Sequence, residues 1–305
     1  MYYFIVNPKS GSGKGLKIWN TLESRLKNEK IPYQVFLTHK KGDSEAFAAE
    51  ISSHHTPCIL TAVGGDGTAN EVLNGLQSFE GITFSYIPVG SSNDLARGLG
   101  LPADPSGMLD CILKPSRTIA MNVGCCHADG ETKRFLVSSG IGYDAAVCHQ
   151  ALNSRLKNVL NRIRLGKLTY LGIALQQLIR LKPFPMNLTL DQDQALTFQG
   201  IFFAAFMNLP YEGGGFRFCP KAAPDDGFLD ICLVERMPRL KVLFLLPTAF
   251  KGRHTLFRGI HIYRCRNVTL NLPSPMAIHT DGESFAFRSG MEVSLEPSSL
   301  PFIVG

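Results

Sequence analysis

Residues 61–71 read Thr61-Ala62-Val63-Gly64-Gly65-Asp66-Gly67-Thr68-Ala69-Asn70-Glu71. An apolar run at 58–63 leads into the glycines, and a helix-like pattern at 69–76 leads out of them. The order is strand, glycine turn, helix. Glycine has no Cβ, so a phosphate chain can approach bare backbone N–H groups at the helix start. Asp66 adds a carboxylate suited to the magnesium that accompanies a polyphosphate. The stretch reads as one βα unit of a nucleotide-binding sheet.

Working outward, residues 1–120 repeat that unit. Strand-like runs at 2–6, 34–37, 58–63 and 84–89 alternate with helix-like runs at 18–28, 43–53 and 69–76, with Asp43 at an expected N-cap. Such alternation argues for a parallel sheet flanked by helices, with ligands at the carboxyl ends of the strands. Two more polar loops follow strands. Asn7-Pro8-Lys9-Ser10-Gly11-Ser12-Gly13-Lys14-Gly15 lacks the P-loop spacing, because Gly15 stands where Ser or Thr would follow the lysine. Alone it reads equally as a phosphate contact or a plain turn, and Lys14 as a phosphate partner or a solvated lysine. Pro88-Val89-Gly90-Ser91-Ser92-Asn93-Asp94 again places small polar residues and a carboxylate after a strand, where Asp94 also suits an N-cap. Three such loops in one sheet point to one phosphate site.

Beyond residue 120 the texture changes. Short strand-like runs at 134–139, 186–190, 199–207, 228–234, 267–272 and 291–295 are separated by Gly, Pro or Asp, and only 155–181 reads as helix. This predicts a mostly antiparallel second domain, a sandwich or distorted barrel. The expected organisation is an α/β nucleotide-binding domain over 1–122 and a β-sandwich over 123–290, with 291–305 able to pack back on the first.

A chain of 305 residues suits two domains, and 45% hydrophobic with 18% charged residues is ordinary for a globular protein. Twenty Phe suit apolar pockets. A net charge of +6 fits an anionic ligand or an anionic membrane surface and does not by itself indicate nucleic acid. The apolar runs at 201–207 and 242–246 are too short to span a bilayer, and the opening strand-like run is no secretory signal. Eight cysteines form neither CxxC pairs nor zinc-like spacing, so the expectation is a cytoplasmic chain with reduced thiols.

Taken together, the loops at 7–11, 64–68 and 88–97, in this order, resemble the diacylglycerol kinase catalytic family. That family includes soluble bacterial lipid kinases and the sphingosine and ceramide kinases. Further along, Ser139-Gly140-Ile141-Gly142-Tyr143-Asp144-Ala145 resembles its GxGxDA segment. Asp225-Asp226-Gly227-Phe228-Leu229-Asp230 resembles its DDGxLD segment, and Asp281-Gly282-Glu283 its late DGE. The likeness runs from residue 5 to about 290. The GGDGT turn alone is shared with NAD kinases and phosphofructokinases.

The resemblance implies a Rossmann-like first domain of the phosphofructokinase and NAD-kinase type, a C-terminal β-sandwich, and an active site in the cleft between them. It implies ATP contacts from Asn7, Ser10, Thr38, Gly64, Gly65, Asp66, Gly67, Thr68, Asn70, Ser91, Ser92 and Asn93, to which Lys14 adds a phosphate-neutralising charge. Asp66 and Asp94 would organise the magnesium-bound phosphates. Glu283 would be the general base for a lipid hydroxyl, with Asp281 a weaker candidate for the same place. A structural magnesium would sit on Asp226 and the carbonyls of Ala223 and Phe228, against the alternative of a plain Asp-Gly turn. One departure stands out: Asn122 occupies a position where many members carry Asp.

Two basic stretches remain, Arg155 to Lys167 ahead of the apolar 168–181, and Lys251, Arg253, His254 and Arg258. Either suits anionic lipid or a solvated face. The expected activity is ATP- and magnesium-dependent phosphorylation of a lipid hydroxyl, diacylglycerol first. Alternatives are another lipid, NAD, or a binding protein without turnover. The expected partner is a membrane-borne lipid at a peripherally docked protein, with no nucleic acid, and a sandwich edge able to pair in a homodimer.

Overall fold

The computed structural model describes residues 1–142 and 182–305. The expected helix at 155–181 with its cations, and Tyr143, Asp144 and Ala145, lie outside the described residues. The chain divides into two compact units, Met1–Val123 with Glu296–Gly305, and Gly124–Leu295.

The first unit is built on a six-stranded sheet. Its strands are β1 (Tyr2–Val6), β2 (Tyr33–Leu37), β3 (Cys58–Gly64), β4 (Ile82–Pro88) and β5 (Thr118–Met121), joined by the last strand of the chain, β15 (Leu300–Ile303). The order is β2-β1-β3-β4-β15-β5. β1 to β4 are mutually parallel, and β15 runs parallel to β4 and antiparallel to β5. β3 (CILTAVG) is buried along nearly its whole length, as a parallel strand covered on both faces must be. The covering helices are α1 (Ser10–Asn28), α2 (Asp43–Ser52), α3 (Asp66–Gly75), α4 (Asp94–Leu99) and α5 (Pro105–Leu113). α1 docks through Trp19, Leu22 and Leu26, spaced three and four apart on one face, and Trp19 meets Phe4 of β1 at 5.1 Å between ring centroids.

Because β2 lies on one side of β1 and β3 on the other, the order in which strands are added to the sheet reverses between β1 and β3. In open α/β sheets ligands bind at that switch point, outside the carboxyl ends of the strands. The loops after β1 and β3 open there.

Two local expectations need refinement. The loop expected at 11–15 appears as a left-handed entry to α1, with φ of 58°, 60° and 90° at Gly11, Ser12 and Gly13. Asp43 is not the cap of α2, which is Gly42. Its carboxylate accepts the N–H groups of His39 and Lys40 at 2.8 and 3.0 Å, and these bonds lower its pKa.

The second unit is β-sandwich-like. Its strands are β6 (Gly124–Ala128), β7 (Glu131–Phe135), β8 (Ser138–Gly142), β9 (Phe184–Leu190), β10 (Gln194–Met207), β11 (Leu229–Glu235), β12 (Ile260–Cys265), β13 (Asn267–Thr280) and β14 (Glu283–Leu295). They pair antiparallel in the order β12-β11-β10-β8-β13-β14-β6-β7, with β9 pairing both β10 and β13. β10 and β13 change partner along their length. β10 pairs β9 from Gln194 to Ile201, with a register shift after Phe198, and β8 from Phe203. β13 pairs β9 through Asn271 and β8 from Ile278. Each long strand therefore serves two faces, which close on a core of Phe135, Phe206, Ile231, Leu270 and Val293.

The expected strand at 134–139 is two strands, broken at Leu136 and Val137. An additional helix, α6 (Arg239–Ala249), stands where the sequence showed only an apolar run. Its VLFLL core is a continuous apolar run and carries no period to read. The return to the first unit begins at Glu296 rather than 291, because β14 stays paired with β6 through Leu295. Among the described residues, Cys58, Cys111, Cys125, Cys126, Cys219, Cys232 and Cys265 are free thiols, and no helix is long and apolar enough to cross a membrane.

Candidate active site

In the first unit the three polar loops meet at the carboxyl ends of β1, β3 and β4, and glycines set how closely. Gly90 lies against Gly65: a Cβ added at Gly90 would fall 2.7 Å from the Gly65 Cα and 2.8 Å from Asn93 Oδ1. Gly11, in the left-handed region, brings the first loop against the third, where a Cβ would meet the Val89 carbonyl oxygen at 2.4 Å. Hydrogen bonds then fasten what the glycines allow. Asn7 Nδ2 donates to Thr68 Oγ1 at 3.3 Å, and the Asn7 N–H donates to the Val63 carbonyl at 2.9 Å. Ser10 Oγ donates to the Asn7 carbonyl at 2.8 Å. Thr38 is buried at the end of β2, its N–H bonded to the Val6 carbonyl at 2.9 Å.

Asp66 joins the second loop to the third. It opens α3, and its carboxylate accepts the N–H groups of Asp94 and Leu95, the first two residues of α4, at 3.2 and 3.3 Å. Asp94 is buried and pairs with Arg97. Asn93 takes the left-handed conformation at φ 51°, and its amide donates to the Gly90 carbonyl at 3.1 Å. Asn70 sits one turn into α3, where its side-chain oxygen accepts from Asn74 at 3.2 Å. Lys14, Ser91 and Ser92 are exposed.

Sequence reasoning missed Tyr86. It is fully buried on β4 beneath the second and third loops. Its hydroxyl lies 3.2 Å from the Gly64 carbonyl, 3.4 Å from Asp66 Oδ1 and 3.3 Å from Asn93 Oδ1. Burial, reinforced by the Asp66 and Asp94 carboxylates, holds its pKa well above the ordinary value, so the group stays a donor. Nothing in an apolar strand run distinguishes this tyrosine from a core aromatic.

In the second unit, Asp281-Gly282 forms the two-residue turn between β13 and β14, both residues at positive φ (49° and 79°). Glu283 follows as the first residue of β14, half-buried. Asp281 is committed to backbone: its carboxylate accepts the N–H groups of Leu136, Val137 and Ser138 at 2.9, 2.8 and 3.0 Å. That commitment explains the break between β7 and β8. Behind the turn, buried His279 accepts the Gly282 N–H at Nδ1 (3.2 Å). Its Nε2 therefore carries the proton and lies 3.1 Å from Glu212 Oε1, also buried. This pair holds the hairpin from within and left no signal in the sequence, because its members come from distant segments.

In the Asp226 segment the carboxylate is engaged by protein donors. Asp226 Oδ1 accepts the Phe228 N–H at 3.0 Å, closing a local turn, and its other oxygen pairs with Arg264. The guanidinium groups of Arg264 and Arg266 lie over the Phe228 ring at 4.5 and 5.3 Å. Two positive charges occupy the neighbourhood in which the resemblance implied magnesium, with Ala223 and Phe228 as carbonyl donors. Among the described residues no cluster of three or more His, Cys, Asp or Glu side chains forms a metal cage. Asp66 and Asp94 are engaged too, by the α4 amides and by Arg97, but they stand at the loops where substrate phosphates would complete the ligands of a magnesium ion.

Comparison with known proteins agrees with this division. Residues 1–126 match the family model described as the diacylglycerol kinase catalytic domain, and residues 137–304 match the YegS C-terminal NAD kinase beta sandwich-like domain. YtlR of Bacillus subtilis (strain 168) is 32% identical over 92% of this chain and 93% of its own length. A Mycobacterium tuberculosis (strain CDC 1551 / Oshkosh) protein named diacylglycerol kinase is 30% identical over 97% of this chain and 92% of its own. A solved structure from Bacillus anthracis str. Sterne, 25% identical, superposes with a TM-score of 0.77 over 100% of this chain and 95% of that one. With both halves matched and relatives alike along nearly their whole length, the chain belongs to the diacylglycerol kinase catalytic-domain family, a family of lipid kinases.

Proposed function

We propose that this chain transfers the γ-phosphoryl group of magnesium-bound ATP to the hydroxyl of a membrane-borne lipid, with diacylglycerol as the foremost acceptor and phosphatidic acid as product. The observation that carries the reading is the locking of the GGDGT loop to the Gly90–Asp94 loop, through the Gly65–Gly90 contact and the Asp66 bonds to the start of α4. Phosphoryl transfer demands mainly positioning and charge neutralisation, and a rigid cradle of backbone amides supplies both. Asn7, Ser10, Thr38, Thr68, Asn70 and the Ser91–Asn93 loop bind and orient the nucleotide, and Lys14 adds charge from the loop edge. Asp66 and Asp94 would hold magnesium, which supplies neutralisation of charge on the phosphate oxygens.

On the acceptor side, Glu283 takes the proton of the lipid hydroxyl as its oxygen bonds to the γ-phosphorus and the bond to the departing ADP breaks. An aligned carboxylate base contributes about 10²–10⁴-fold. The protein works in the cytoplasm, docked peripherally on the membrane. Asn122 motivates a second reading, a nucleotide-binding protein without turnover, because an amide can neither take a proton as base nor hold metal strongly.

The test is radiolabelled phosphate transfer from ATP to diacylglycerol in mixed micelles with magnesium, with sphingosine, ceramide and NAD as parallel acceptors. Phosphatidic acid formation, abolished in Asp66→Ala and reduced at least a hundredfold in Glu283→Gln with ATP affinity retained, is expected. Product from NAD alone would replace the acceptor class. ATP binding without product from any acceptor would favour the second reading.

A further inference from the structure

α6 and the turn that follows carry a surface for which phosphotransfer has no use. The inner side of α6 is settled in the core of the second unit, where Leu245 and Ala249 are buried and Val242 packs on the cluster containing Phe203, Cys232 and Met237. The outer side is apolar as well. Leu240 and Phe244, one turn apart, expose 70% and 79% of their surface. A helix apolar on both sides is not satisfied by a single core.

The outer face continues beyond the helix. Lys241 Nζ donates to the Arg258 carbonyl at 3.0 Å, bringing the helix start beside Leu256 and Phe257, which are 82% and 41% exposed. Phe250, at the helix end, presents one ring face while the other stacks on Phe216 at 4.2 Å between centroids. Exposed large apolar side chains normally stand singly, and a ridge of them marks an interaction site. Around the ridge stand the exposed cations Arg239, Lys251, Arg253 and Arg258. Between Glu235 and Asp281 the sequence contains no Asp or Glu.

We propose that this ridge is the surface by which the protein docks on an anionic lipid bilayer. The apolar side chains sink beneath the headgroups, and the surrounding cations pair with lipid phosphates. An apolar strip with a basic rim is the pattern of elements that lie in the membrane interface rather than cross it. A second copy of the chain is the poorer occupant. A two-fold interface here would set the same cations against themselves, with no carboxylate in the segment to neutralise them. The proposal rests on the reading of a membrane-borne acceptor for its purpose, but its vesicle-binding readout requires neither nucleotide nor turnover.

The full chain is sedimented with vesicles of phosphatidylcholine, and with vesicles containing phosphatidylglycerol, without ATP. Binding to the anionic vesicles is expected to fall about a hundredfold in Arg239→Gln/Lys251→Gln/Arg253→Gln, at about fivefold per cation. It is expected to fall at least tenfold in Leu240→Ser/Phe244→Ser/Leu256→Ser. Both variants should keep the parent melting temperature and the parent turnover on a short-chain, detergent-dispersed diacylglycerol. Equal binding to neutral and anionic vesicles, or unaltered binding by both variants, would overturn the proposal. So would a parent dimer in equilibrium sedimentation that the apolar substitutions dissociate while vesicle binding persists. Normal vesicle binding by a parent chain that phosphorylates no lipid would support the docking surface and sink the kinase reading alone.

Discussion

Replacing Gly90 with alanine tests whether the nucleotide cradle depends on the approach of two backbones. Gly90 is not at positive φ, so alanine costs nothing in backbone strain. The effect must come from the added methyl group, 2.7 Å from the Gly65 Cα. Ordinary contact begins near 3.4 Å, so the second and third loops must part by about 0.7 Å. The Asp66 bonds to the Asp94 and Leu95 amides, now 3.2 and 3.3 Å, then stretch beyond hydrogen-bonding reach. Losing hydrogen bonds to a carboxylate costs about 1.5–3 kcal/mol, a fall of about 5–10 °C in melting temperature for a unit of this size. A displacement near 1 Å in a phosphoryl-transfer site costs about 10²-fold in kcat/KM. Calorimetric melting, ATP titration and the micelle transfer assay read the three effects. Gly107→Ala is the control. It lies within α5, where a Cβ would find its nearest neighbour at 3.6 Å, so stability should hold or rise by up to about 1 kcal/mol. A Gly90→Ala protein that melts, binds ATP and turns over like the parent would refute the argument that this contact sets the site.

Three further outcomes follow from the geometry. Asp281→Ala should lower the urea midpoint by the equivalent of about 1–3 kcal/mol, because three backbone N–H groups lose their acceptor, and parent-like unfolding would remove Asp281 from its clamp. Tyr86→Phe should cost about 1 kcal/mol of stability and weaken ATP binding about fivefold, since Asp66 and Asn93 share its hydroxyl; isothermal titration decides it. Burial raises the Asp230 pKa, with Asp226 adding to it and Arg264 opposing, so its ionisation is costlier in the folded state. That contribution to stability is complete below the ordinary carboxylate pKa and is lost as pH rises through the raised one. Asp230→Asn should therefore melt higher than the parent at pH 7 and equal to it near pH 3, and a constant difference across pH would count against the shift.

What the sequence disclosed and what it withheld divide along physical lines. Loops after β1, β3 and β4 were legible because glycine and short polar residues are required wherever backbone must face a phosphate, and each requirement is local. The alternation of β and α over the first unit was legible for the same reason: burial on one or two faces writes a period into neighbouring residues. α6 was not legible, because apolar residues stand on both its buried and its exposed sides and leave no period. Tyr86 beneath the loops, the commitment of Asp281 to three amides, and the His279–Glu212 pair behind the hairpin were also hidden. Each depends on which distant segments β-pairing brings together, and no window of sequence records that. Local chemistry thus marked the loops that gather at the carboxyl ends of β1, β3 and β4. Only the tertiary structure decided which donors surround each carboxylate, as the three amides around Asp281 and the two at Asp66 show, because β-pairing and loop packing bring those donors from distant segments.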